Sequence, residues 1–424
     1  MKLTCLLCVF PGLLMAQPAP DPAATARKAL DLLIGGKYHE MFQMFSPDLQ
    51  TAIPEPSLEK LADTQIKPLG AVEKIGDPSV RKAGNNNIVV IPVKFPSQNV
   101  NFQAAINPSG QLFIMNLLPG EIIWQRPAYS KPDAFQERQV TVGDGEWKLP
   151  GTLTVPAGAG PFPGVVLVHG TGPNDRDETI GGSKMFRDLA EGLASRGIVV
   201  VRYEKRTRQY GAKMAGRGNT TVKEETVDDA VAAAALLRAQ KEVDPKRIYV
   251  IGHDLGGYVA PRIAEQEGKL AGLVILAGNV RPLEDLILEQ SRNSNMSNEK
   301  LDQLKKLVAR IKALEPEDAD APPILGMRVP YLLDLKGYDP AAMAAKLGIP
   351  VMVLQGERDF QVTMADFALW KSALGSRKDA VLRSYPALNH VFVAGEGKST
   401  EAEYRKPGHV APEVVDDIAK FVAH

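Results

Sequence analysis

The chain has 424 residues, 44% of them hydrophobic and 24% charged, with 50 basic residues against 50 acidic ones. That length suits two or three domains, and the composition is that of a globular protein rather than a disordered or fibrous one. The balanced charge does not suggest a nucleic-acid partner; the expected partner is a small-molecule substrate, on the motifs given below. The oligomeric state is left open.

At the N-terminus, Lys2 precedes an apolar run over 3–15, and Ala16-Gln17-Pro18 offers a small-residue cleavage point. Residues 1–16 therefore read as an export signal, and the mature protein as secreted or periplasmic. The run is too short to span a bilayer comfortably. Both cysteines, Cys5 and Cys8, lie inside it. A processed chain would carry no thiol and no disulfide.

Residues 21–120 form a first unit. The stretch "DPAATARKALDLLIGGKYHEMFQMFSPDLQTAI" places apolar residues at helical spacing, broken at Gly35-Gly36 and Pro47, and 57–69 predicts another short helix. Four strand patterns follow, "AVEKIG", "NIVVIPVKF", "VNFQAAIN" and "QLFIMNLL", separated by turn residues. Helices followed by an antiparallel meander make an α+β module. It resembles the small NTF2-like domains that precede some secreted hydrolases, which implies a binding or packing role.

A proline-rich linker occupies 121–135, and a second unit runs over 136–424. Its strand patterns are "QERQVTV", "KLPGTLTVP", "PGVVLVHG", "GIVVVRYE", "RIYVIGH", "LAGLVILAG", "IPVMVLQG" and "AVLRSYP". Several are continuous β-branched runs, as in strands covered on both faces. Helical segments separate most of them from the third onward, which predicts a doubly wound, mostly parallel eight-stranded α/β sheet. The basic stretch 202–218 reads as a solvated loop after the fourth strand, with steering of an anionic substrate as the alternative. About 280–345 is too long for an ordinary connection. Its segment "NEKLDQLKKLVARIKALEPED" carries a helical apolar face, so a helical cap over a site is expected there, with a plain packing helix as the alternative.

Four motifs carry chemistry. In "IYVIGHDLGGYVAPRIA", Gly252, Gly256 and Gly257 flank Asp254 between a strand and a helix, the setting of a nucleophile elbow. "VLVHGTGPNDRDET" ends the third strand, where the backbone amides of Thr171 and Gly172 can join that of Leu255 around a developing oxyanion. "LQGERDFQV" sets Asp359 in the turn after the seventh strand, with Glu357 as fallback. "YPALNHVFV" puts His390 after the last strand, completing the order nucleophile, acid, histidine. No cofactor motif and no metal-ligand spacing is present.

With these motifs in this order, 138–423 resembles an α/β-hydrolase, in particular the secreted esterase and dienelactone-hydrolase-like branch. The resemblance implies ester or related acyl hydrolysis by Asp254, Asp359 and His390. It departs from the family at Asp254, where a serine is usual. "GHDLGG" is instead similar to the G-H-D-x-G elbows of haloalkane dehalogenases and epoxide hydrolases. The latter use two cap tyrosines as acids, for which Tyr331 and Tyr338 are the candidates here; simple packing is the other reading of both.

An ionised aspartate needs no activation but is a poor acyl acceptor. Its carboxylate leaves a tetrahedral adduct far more readily than an alkoxide does, by about ten pKa units or roughly 14 kcal/mol. Three readings remain. Asp254 displaces a leaving group at saturated carbon, and His390 then directs water onto the aspartyl ester. Alternatively, Asp254 or His390 acts as a base on water attacking an acyl substrate. In the third, the elbow is dead and the protein binds without turnover.

Overall fold

The computed structural model describes residues 20–96, 98–122, 124–292 and 296–423. The expected export signal, with Cys5 and Cys8, lies outside these residues. The chain divides into two units, Met1–Ile123 and Trp124–His424.

In the first unit, helices Pro22–Ile34, Tyr38–Phe42, Pro47–Ala52 and Glu55–Leu61 precede an antiparallel sheet. Asp21 caps the first helix by accepting from Ala23 N–H at 2.9 Å. Alternate residues Val89, Ile91 and Val93 of strand Asn86–Lys94 are buried beneath Leu30, Leu33 and Met41. Strand Ser79–Ala83 was not anticipated; its residues are mostly exposed, and its pairing with Asn86–Lys94 holds it in place. Of the expected strand over 71–76 only Lys74–Ile75 forms.

In the second unit all eight expected strands are present: β1 (Phe135–Val142), β2 (Leu149–Pro156), β3 (Phe162–Val168), β4 (Val199–Tyr203), β5 (Val243–His253), β6 (Gly272–Leu276), β7 (Val351–Gly356) and β8 (Ala380–Tyr385). Their order across the sheet is β1-β2-β4-β3-β5-β6-β7-β8. Only β2 runs antiparallel to its neighbours; the other pairs are parallel. Strand order reverses at β3, so the loops after β3 and β5 diverge at a crevice along the carboxyl edge. Open α/β sheets place ligands at such a switch point. Register brings Val168 opposite Gly252 and His253 opposite Leu276, which sets both loops at one level.

The helices are α1 (Met185–Ala194), α2 (Arg206–Ala215), α3 (Asp228–Arg238), α4 (Leu255–Glu267), α5 (Leu283–Arg292), α6 (Asn298–Lys312), α7 (Val329–Leu335), α8 (Pro340–Lys346), α9 (Met364–Leu374) and α10 (Pro412–Ala423). The sheet's two faces carry separate cores. Val166, Val168 and Val250 pack with α3, α4 and Trp370 of α9; Val165, Leu167 and Ile251 pack with α1 and α10. Among the described residues no helix is long and apolar enough to cross a membrane.

One expectation is revised. The stretch 202–218 is not a solvated loop, because α2 forms within it. Its charges are also spent locally: Arg206 pairs with buried Asp229, and Lys213 and Arg217 reach Glu146 beside Trp147. That argues against the steering role. The insertion after β6 packs in two ways. Ile311 of α6, Leu314 just after it, and Val329 and Leu332 of α7 form a small core of their own, while Ala341 and Ala344 of α8 join the main core.

Candidate active site

β5 ends at His253 and α4 begins at Leu255, so Asp254 must reverse the chain alone. Its backbone sits at φ 49° and ψ −115°, a conformation costly for a residue with a Cβ. The turn is locked by Asp254 N–H donating to the Leu276 carbonyl at 3.0 Å and by Tyr258 N–H donating to the Asp254 carbonyl at 2.9 Å. Glycine is required around it by close approach. A Cβ on Gly252 would lie 2.2 Å from the Gly256 carbonyl oxygen, and one on Gly256 would lie 2.2 Å from the Val168 carbonyl oxygen.

The side chain of Asp254 is partly exposed to a cavity of 660 Å³. Its Oδ2 accepts the backbone N–H of Thr171 at 2.9 Å. Burial raises the carboxyl's proton affinity, but His390, His253 and the Thr171 amide outweigh it and hold the group below its ordinary value. Leu255 opens α4, so its amide is among those without an intrahelical partner. Gly172, at φ 97°, makes no hydrogen bond to Asp254 among the described residues; its carbonyl accepts from Asn174 N–H at 3.1 Å.

The acid and the histidine meet. His390 Nδ1 donates to Asp359 Oδ2 at 2.7 Å, with both residues buried. Asp359 also accepts from Gln355 Nε2 at 3.0 Å and from the amides of Gln361 and Val362 at 2.8 and 3.0 Å. These bonds fix the carboxylate as an acceptor, which leaves Nε2 of His390 as the free ring position beside the cavity it lines with Asp254. Glu357 is turned away, accepting from Ser384 Oγ at 2.8 Å.

The two tyrosines do not line that cavity. Tyr338 donates its hydroxyl to the Tyr258 carbonyl at 3.1 Å and receives the Tyr258 hydroxyl on its own carbonyl at 3.3 Å, with Arg262 stacked on its ring. This interlock fastens α7 and α8 to α4 and leaves Tyr338 no hydroxyl for a substrate. Tyr331 packs against the main core, and burial together with neighbouring Glu225 keeps its proton bound. The insertion reaches the cavity through Gln290 of α5, whose Nε2 donates to the Gln361 carbonyl at 3.1 Å.

Sequence reasoning missed much of the wall. Phe360 and Gln361 follow the acid directly and were within its reach. Tyr404 lies in a return loop with no pattern of its own, and its Oη accepts from Gln361 Nε2 at 2.9 Å. Also missed was Glu178, fully buried, which accepts Gly170 N–H at 2.6 Å. Its second oxygen lies 3.1 Å from Nδ1 of His253. Burial opposes charging His253, but Glu178, Asp254 and the His390 carbonyl push its value up to about 9. The other loop histidine, His169, is pushed down to about 4 by burial.

Residues 165–416 match the alpha/beta hydrolase family, well over half of the chain. The chain belongs to the α/β-hydrolase family. Within it, the chain is 41% identical over 306 residues to Esterase EstD of Thermotoga maritima, covering 70% of each chain. It is accordingly an esterase-like hydrolase. Solved structures of Est1E from Butyrivibrio proteoclasticus and of a hyperthermophilic esterase from Pyrobaculum calidifontis are each 17% identical with a TM-score of 0.45. Each match covers 68% of this chain, and 99% and 82% of the respective esterase. In the first unit, residues 26–113 match a family described as protein of unknown function (DUF3887).

Proposed function

We propose that this hydrolase works through an ester on Asp254. Oδ1 attacks a saturated carbon carrying a leaving group, such as a halide or an epoxide oxygen. The C–O bond forms as the carbon–leaving-group bond breaks, and the leaving group takes the electron pair. His390 Nε2 then removes a proton from water, which adds to Cγ of the aspartyl ester. Asp359 stabilises the imidazolium and the negative charge develops on Oδ2. Collapse expels the product alkoxide, which takes its proton from His390, and leaves Asp254 as a carboxylic acid; its proton passes to water or to the first leaving group, which restores the carboxylate. The net change is addition of water across the bond that broke.

One observation carries this reading: the Thr171 amide already holds Oδ2. An amide in that place is of little use to the carbonyl oxygen of an acyl substrate while the carboxylate occupies it. It is well placed for the oxyanion of an aspartyl ester, with Leu255 N–H and Gly172 as further donor candidates. Ester hydrolysis with Asp254 as a base on water is the second reading, favoured by the 41% identity to an esterase. It requires Oδ2 to give up the Thr171 amide.

The test is trapping. His390→Ala, incubated with a panel of small epoxides, haloalkanes and esters, should gain the mass of one alkyl group on the peptide bearing Asp254. If no adduct forms with any of them, the nucleophile reading fails. Export, resting on Lys2 and the apolar run behind it, belongs to the same proposal, as does an NTF2-like packing or binding role for the first unit.

A further inference from the structure

Behind Asp254 lies a buried ion pair that this reaction does not consume. Glu178 is fully buried, and its backbone is held at φ 46°, where a residue other than glycine is strained. Its Oε1 takes the Gly170 amide, one residue before Thr171. Its Oε2 faces His253 Nδ1 at 3.1 Å as a charge contact rather than an aligned hydrogen bond. On the other side of the ring, His253 Nε2 meets the His390 carbonyl at 3.1 Å. A carbonyl only accepts, so Nε2 carries hydrogen. Two bare lone pairs facing each other would repel, so a proton lies between Glu178 Oε2 and Nδ1. Against the cost of burial, Glu178, Asp254 and the His390 carbonyl favour the ring as its holder, which makes the pair a carboxylate and an imidazolium.

This pair touches all three functional loops: the one carrying the Thr171 amide, the elbow, and the loop of His390. We propose that Glu178 and His253 are positioning residues, a buried clamp that sets the amide loop against the elbow and holds positive charge behind Asp254, keeping its carboxylate ionised and aimed. The inference rests on Asp254 acting as the nucleophile.

Other charged groups around the clamp are few. Asp254 and His390 flank the His253 ring, with ring centroids of the two histidines 4.7 Å apart. His169 stands near Glu178 and is neutral. Lys205 donates to the Gly170 carbonyl at 2.7 Å and is paired with Glu225 at 3.0 Å. Tyr331, packed in the main core, keeps its proton bound and adds no charge. Asp359 reaches the group only through the His390 ring. Charge thus alternates along Glu178, His253 and Asp254, and the His253 imidazolium joins His390 in favouring the ionised Asp254 carboxylate.

Glu178→Gln keeps the shape and the acceptor for Gly170 while removing the charge. Its acid limb in kcat/KM should rise by about one pH unit, with KM little changed and kcat recovered at higher pH. An acid limb that stays in place in the folded variant overturns the clamp. A second measurement does not depend on that variant folding. Nitrogen-15 histidine NMR of the full chain should show one imidazole still doubly protonated at pH 8, persisting in His390→Ala. If every imidazole in that sample is neutral at pH 8, the clamp is overturned. The two proposals fail separately. Absence of any adduct in His390→Ala removes the nucleophile, whereas an adduct accompanied by an unmoved acid limb removes only the clamp.

Discussion

The backbone amide of Thr171 points at Asp254 Oδ2 from 2.9 Å. An amide that would otherwise wait for a substrate oxyanion is satisfied by the elbow's own carboxylate. The two oxygens of Asp254 are thereby made unequal: Oδ2 takes the amide, and in the proposed mechanism Oδ1 is the one that reacts.

Single turnover in oxygen-18 water should leave one heavy oxygen in the Asp254 carboxylate and none in the first product alcohol. Water attacks Cγ, and the product departs with an oxygen that belonged to Asp254. Mass spectrometry of the Asp254 peptide checks it. Heavy oxygen appearing only in product would point to Asp254 acting as a base.

Replacing Asp254 by Ser releases the Thr171 amide and supplies a hydroxyl that His390 can deprotonate. A hole donor is worth about 10²-fold or more in acyl transfer. Asp254→Ser should therefore hydrolyse small aryl esters at least about tenfold faster than the wild type, and lose any alkyl-halide or epoxide activity. Initial rates on p-nitrophenyl acetate decide the matter.

Asp359→Asn leaves a hydrogen-bonding group beside His390 Nδ1 but removes the charge that fixes its tautomer. Loss of such an acid costs about 10⁴-fold in kcat elsewhere. Here the second step should suffer more than the first, so the aspartyl ester should accumulate. Rapid-quench mass spectrometry would show it, and an unchanged steady-state rate would exclude the orienting role.

Gly256→Ala should destabilise the fold rather than merely slow the reaction. Its Cβ would meet two backbone carbonyl oxygens, of Val168 at 2.2 Å and His169 at 2.8 Å, neither of which can rotate away. Overpacking of this kind costs about 1–3 kcal/mol, occasionally more. Urea denaturation measures it, and a loss under about 1 kcal/mol would mean that the strand end moves more freely than its hydrogen bonds suggest.

The clamp also makes stability depend on pH. His253 has a folded-state value of about 9, against an ordinary value of 6.5. Because the folded value is the higher, the stabilisation is complete below about 6.5 and is lost as pH rises through about 9. Melting temperature should fall over that window in the wild type, and less steeply in Glu178→Gln. Equal slopes in calorimetry would contradict the assignment.

Much of this arrangement was legible in the chain. The strands of the large sheet are signalled by runs such as "LAGLVILAG", since strands buried on both faces must be apolar throughout. Ser79–Ala83 gave no such signal, because an exposed strand takes its stability from the neighbour it pairs with. α2 was hidden for a related reason. Gly211 weakens the local helical propensity, and contacts with Asp229, Glu146 and Trp147 compensate. Tyr338 stood in the expected insertion, yet its hydroxyl turned to the Tyr258 carbonyl.

The amino-acid sequence by itself determined the elbow and the order of Asp254, Asp359 and His390. Those depend on local rules: a strand, a one-residue reversal, glycines where backbones touch, then a helix. Only the tertiary structure decided where the Thr171 amide donates, which tyrosine reaches the cavity, and that Glu178 lies against His253. Each of these is a relation between loops distant in the chain. Their meeting is set by strand order and register, and a side chain's direction at that meeting leaves no periodic trace in the residues around it.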